Sequence, residues 1–177
     1  MALIQTPSKN KRSKKMNGLT GREKMITDEQ EIIRILDESK VVHVGMVDGD
    51  EPYVVPMNYG YTLEDGKLTI WLHGSKRGRK LDVIRKNPKV FIEMECALQP
   101  FDGDIACRYG ISYSSLMGTG TAEIVEDVEQ KKLGLKLLMK TQTGKDFEFE
   151  DKMTTIVSVI KIECNQFTAK HRPMPKN

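Results

Sequence analysis

The chain has 177 residues, 38% of them hydrophobic and 30% charged, with a formal net charge of +3. That length suits one ordinary domain whose core is large enough to need neither disulfide nor metal. No apolar run approaches the roughly 20 residues of a membrane span. The N-terminus lacks the apolar stretch of a secretory signal, and the 3 cysteines have no CxxC spacing, so neither a disulfide framework nor a metal site is expected. A reducing cytoplasm is the expected compartment.

The charge is uneven. Residues 1–24 hold seven Lys and Arg against Glu23 alone, which leaves the remainder at −3. Residues 1–24 therefore read as a flexible basic arm, and residues 25–177 as the folded domain. Because the domain is acidic without its arm and carries no recognition motif, nucleic acid is not the expected partner.

In chain order, Thr27-x-x-Gln30 has capping-box spacing and predicts a helix over about 28–38, with Ile32, Ile33, Ile35 and Leu36 largely at helical spacing. The β-branched run from Val41 predicts a strand ending at Asp48-Gly49-Asp50. Residues 53–61 predict a second strand, with Tyr53, Val55, Met57, Tyr59 and Tyr61 on one side and Pro56 marking an edge or bulge. Glu64-Asp65-Gly66-Lys67 predicts a tight hairpin into a third strand, where Leu68, Ile70 and Leu72 alternate with Trp71 and His73, completing a meander. A helix is predicted over 76–85, stopped by Pro88, then a strand over 90–96, an irregular stretch over 97–112 and a strand over 116–126. Asp127-x-x-Gln130 opens a third helix, 141–150 reads as a polar loop, and 155–167 alternates as a last strand. His43 reads as a packed strand histidine and His171 as a tail residue. Six antiparallel strands with two or three peripheral helices exclude a doubly wound parallel sheet. They predict a mainly β, closed small barrel without free edges.

The chemistry concentrates in WLHGSKRGRKLD (71–82), where a strand ends at His73 and Lys76, Arg77, Arg79 and Lys80 crowd the start of the next helix. Cations there oppose the helix macrodipole, and a bound anion would offset them. Such a cluster also suits a solvated helix face, and spacing alone does not separate the two. No Walker A loop, GxGxxG motif or Ser-His-Asp arrangement is present.

The linked motifs REKMITD, EPYVVPMNYGY, LTIWLHGSKRGRKLDVIRKNPKVFIEME and YSSLMGTGTAEIVED, spread over residues 22–170, resemble the flavin-binding split-barrel superfamily of pyridoxamine 5′-phosphate oxidase-like proteins. Within it they are most similar to the nitroimidazole-resistance branch. The resemblance implies a six-stranded split barrel forming a homodimer, with FMN at the subunit interface. It implies flavin contacts from Val55, Pro56, Met57 and Asn58, with His73 near the flavin as the candidate catalytic residue. Ser75, Lys76 and Lys80 would form the phosphate turn, and Tyr113, Ser114 and Ser115 would be contributed by the partner subunit. An FMN-dependent oxidoreductase acting on a small electron-poor molecule, such as a nitro-aromatic, is the implied activity. A non-catalytic FMN carrier or sensor would use the same residues. The arginine-rich C-terminal motif of the vitamin B6 oxidases has no counterpart beyond Arg172-Pro173, so B6 oxidation is not implied.

Overall fold

The computed structural model describes residues 22–175, so nearly all of the basic arm lies outside the described residues. Eight antiparallel strands form one sheet: β1 (Lys24–Ile26), β2 (Val42–Asp48), β3 (Glu51–Met57), β4 (Tyr59–Glu64), β5 (Lys67–Gly74), β6 (Lys89–Phe101), β7 (Gly110–Val125) and β8 (Ser158–Arg172). Their order is β3-β2-β6-β7-β8-β5-β4, with β1 added to the far end of β8. The helices are α1 (Glu29–Glu38), α2 (Arg79–Lys86), α3 (Val128–Thr143) and the single turn α4 (Asp151–Thr154).

The antiparallel split barrel is therefore present, with two strands more than expected. One is β1, too short to show a period. The other comes from residues 53–61, which divide at Asn58 into β3 and β4. The alternation of side chains runs unbroken through the division: Tyr53, Val55, Met57, Tyr59 and Tyr61 all face the core. The ladder does not. β3 pairs only with β2 and β4 only with β5, so the expected meander is interrupted and the two halves of one run lie at opposite ends of the sheet. The barrel is thus not closed by hydrogen bonds. The chain itself bridges the gap through Asn58, and the curl brings the ends together: Met57 Cε would lie 4.0 Å from a Cβ built on Gly74 of β5.

The stretch 97–112, expected to be irregular, is so only over 102–109; its two ends belong to strands. β6 continues to Phe101 past a bulge between Cys96 and Gln99, where Ala97 adopts φ 53°, and β7 begins at Gly110. A bulge shifts the inside-outside alternation, which is why the pattern hides the strand. β8 likewise runs on to Arg172, so His171 is a paired strand residue rather than a tail. The Asp65-Gly66 turn forms as predicted, with both residues at positive φ (49° and 74°). Asp28 rather than Thr27 caps α1, its carboxylate accepting from Glu31 N, while Asp127 caps α3 as expected.

The inner face buries Ile35, Leu36, Val44, Tyr59, Ile70, Ile92, Leu116 and Ile162 among others, in one contiguous core. α3 covers the outer face of β4 and β5. There Gly60 lets the helix backbone lie against the sheet, since a Cβ at Gly60 would sit 2.2 Å from Leu138 N. Trp71 is buried in this layer under Gly134, so it faces neither a dimer partner nor solvent. Gly60→Ala is expected to lift α3 off the sheet and cost about 1–3 kcal/mol, the usual range for overpacking. Chemical denaturation would read this as a lower midpoint with an unchanged slope.

Candidate functional site

The predicted site residues fall in two groups. The first gathers at the end of β5. His73 lies on the outer face of β5, exposed beside Leu135, Leu138, Met139 and Phe149, which with it line a small cavity of about 190 Å³. Gly74 follows, and Lys80 folds against it: a Cβ on Gly74 would be 2.9 Å from Lys80 Cε. Met57 reaches the same point from β3, with its side chain on the core side. Val55 also faces inward, so both can offer a ligand only backbone, whereas Pro56 faces out beside His43. Asn58 is held structurally, its Nδ2 donating to Lys40 O at 3.0 Å and Gln142 Oε1 at 3.3 Å.

The turn 75–78 differs from expectation. The helix starts at Arg79, so Lys76 and Arg77 precede it in the turn rather than sitting in its first turn. Ser75 Oγ accepts weakly from Arg77 N at 3.4 Å. Gly78 occupies the cap position at φ 139°, a conformation open essentially to glycine, and supplies no side-chain cap. α1 and α3 each have an aspartate cap; α2 has none. Arg79 is neutralised by Asp48 at 2.8 Å and Glu51 at 3.1 Å and stacks on Tyr53. Lys76, Arg77 and Lys80 make no ion pair among the described residues. The uncapped end of α2 thus presents free backbone N–H groups to a turn carrying three unneutralised cations. The chemistry of such an end suits a small multivalent anion.

The second group, Tyr113–Ser115, lies elsewhere. Tyr113 donates its hydroxyl proton to Glu23 Oε1 at 2.5 Å under Lys170. Ser114 faces inward, its Oγ accepting from Arg34 Nη2 and lying 3.2 Å from His171 Nδ1. Ser115 faces outward, buried, with no partner for its hydroxyl. Register measures the separation of the groups: His73 is opposite Val159 and Tyr113 opposite Arg172, thirteen positions apart along β8. At ~3.3 Å per residue that is roughly 40 Å of strand. One chain does not bring the two groups together. The two larger hollows, about 540 and 710 Å³, contain none of the predicted site residues.

Residues 28–171 match the sequence profile of the family described as pyridoxamine 5′-phosphate oxidase. The chain belongs to that family. Among solved structures, a candidate 5-nitroimidazole antibiotic resistance protein from Bacteroides thetaiotaomicron is 31% identical, with a TM-score of 0.71 over 84% of this chain and 87% of that one. The flavocytochrome Anf3 from Azotobacter vinelandii (19% identity, TM-score 0.68, 85% of this chain and 70% of that one) shares the fold. So does an FAD- and haem-binding protein from Mycobacterium smegmatis (14% identity, TM-score 0.69, 88% of this chain and 76% of that one). No curated protein matches the sequence. No helix among the described residues is long and apolar enough to cross a membrane.

If the uncapped α2 turn receives an anion, inorganic phosphate or sulfate should raise the melting temperature of the full-length protein beyond the effect of chloride at equal ionic strength. Lys80→Ala should remove most of that gain. Equal stabilisation of both proteins would refute the assignment.

Proposed function

We propose that the protein is an FMN-binding flavoprotein that works as a homodimer and reduces a small electron-poor substrate, with nitro-aromatic compounds as the class suggested by the 31% identical structural neighbour. The observation that carries this reading is the uncapped start of α2 beside Lys76, Arg77 and Lys80. A monoester phosphate suits that site in charge and size, and hydrogen bonds to a charged group are worth about 1.5–3 kcal/mol each. The family supports a flavin as the rest of the ligand.

The chain's own residues then divide the work. The α2 turn holds the phosphate. The backbone of Val55 to Asn58 offers an extended edge for the polar rim of a planar ring, because β3 pairs on one side only. His73, exposed beside Gly74, is placed to hold or deliver a proton at an imidazole nitrogen. When bound, the flavin supplies the two-electron redox chemistry. A second copy is needed to bring Tyr113 and Ser115 near this turn. The outer face of β2, β3 and β6, where Val47, Val54 and Phe91 are exposed, offers an apolar surface for it.

Sedimentation equilibrium is expected to give about twice the 20.1 kDa chain mass. Lys80→Ala should weaken FMN by about tenfold, equivalent to ~1.4 kcal/mol, and riboflavin by much less. His73→Ala should lower turnover with a chemical reductant and a nitro-aromatic acceptor while leaving FMN affinity nearly unchanged. Equal weakening of FMN and riboflavin by Lys80→Ala would overturn the phosphate assignment. FMN binding without turnover would leave a carrier rather than an enzyme.

A further inference from the structure

We infer that His43, Glu93 and Glu95 form a binding site for one divalent first-row transition ion on the outer face of β2 and β6. His43 faces Glu93 directly across the β2–β6 ladder, and Glu95 lies two residues further along the same face of β6. His43 Nδ1 is 3.2 Å from Glu93 Oε2 and 4.0 Å from Glu95 Oε2, and one donor atom from each residue lies within 4.8 Å of the others. Metal–ligand bonds of ~2.0–2.2 Å in a tetrahedral site set neighbouring donors about 3.4 Å apart. Side-chain rotation alone brings the three to that spacing, because they already converge from a rigid sheet.

The electrostatics ask for a cation. Among the described residues no lysine or arginine pairs with Glu93 or Glu95, and His43 is the partner of both. Lys170 sits on the same face opposite Ser115, but it is bound to Glu23 at 3.1 Å.

A second observation points the same way. Ser115 stands opposite Glu95 on the β6–β7 ladder, on the same outer face, and its buried hydroxyl has no hydrogen-bond partner among the described residues. Buried polar groups are rarely left unsatisfied. An ion with its bound water, held by Glu95, would provide the missing partner. One imidazole nitrogen with carboxylate oxygens suits zinc, cobalt or manganese better than calcium or magnesium, which prefer all-oxygen shells. Three protein ligands leave the remaining positions to water or to a donor from a second copy.

The sequence conceals this site, because His43 and Glu93 are 50 residues apart and the cysteine count points away from metal. His43 is not a packed core histidine: its side chain is 39% exposed on the outer face.

The test uses full-length protein stripped with a chelator and titrated calorimetrically with Zn²⁺, alongside Co²⁺ absorption spectra. One ion per chain is expected. His43→Gln and Glu93→Gln, each checked for native circular dichroism, should weaken it by at least ~10-fold, the loss that even an outer-shell partner causes. Lys80→Ala, in the separate anion turn, should bind Zn²⁺ like the wild type. Failure to bind Zn²⁺, or unchanged affinity in both glutamine variants, would overturn the site.

Discussion

The architecture depends on how the chain crosses from one end of the sheet to the other between Met57 and Tyr59. No ladder closes the barrel there, so the crossing must be pinned by other means. Tyr59 is fully buried, and its hydroxyl lies 2.7 Å from Leu36 O and 3.0 Å from Ser39 O, sharing its proton between the two carbonyls at the C-terminal end of α1. Burial pushes its ionisation far above the ordinary phenol range, so this contact persists at any pH the fold survives. Asn58 Nδ2 and Gln142 Nε2 tie the backbone on either side to Lys40 O and Tyr59 O, locking the crossing to α3. One tyrosine and two amides thus do the work that continuous pairing does in a closed barrel.

That crossing has a functional consequence. It delivers the end of β3 to the end of β5, so that Met57 and Gly74 meet although their strands are far apart in the ladder order, and Lys80 of α2 folds against the same point. The same topology sends Tyr113–Ser115 to the far end of β8. The helices reinforce the division. α3 covers the outer face of β4 and β5, whereas the outer faces of β2, β3 and β6 expose Val47, Val54 and Phe91. A sheet with one sealed and one bare outer face is suited to pairing with a copy of itself.

What the sequence revealed follows from how local each signal is. The capped helices and the Asp65-Gly66 hairpin were legible because a few neighbouring residues decide them. The strand break at Asn58 was not, since alternation continues through residues 53–61 and only the choice of ladder partner changes. The strand ends beyond Cys96 were hidden by the bulge. The basic turn could be read from composition, but its uncapped state could not, because Gly78 reveals its φ of 139° only in the structure. The His43-Glu93-Glu95 triad was out of reach, being assembled across a non-local strand pair.

The uncapped helix links stability to ligand. Cations in and before the first turn of α2 each oppose the macrodipole by some tenths of a kcal/mol, and glycine in place of a side-chain cap withholds about a few tenths of a kcal/mol more. α1 and α3 show that the chain places aspartate caps elsewhere. A carboxylate at position 78 would repel an anion from these N–H groups, and at φ 139° it would also be strained. Leu81 N and Asp82 N already bond Gly78 O, at 3.0 and 3.4 Å, but glycine offers the first N–H groups of α2 no side-chain acceptor, which an anion would supply. Anything that binds the native state alone stabilises it by RT ln(1 + [L]/Kd), so the ligand supplies what the cap does not. The end of β5 at Gly74, against which Lys80 of α2 folds, would be ordered by the same contact, and His73 stands one residue before Gly74. Stability withheld at Gly78 would thereby return as affinity for an anion, at the place where the fold brings Lys76 and Lys80 together without acidic partners among the described residues.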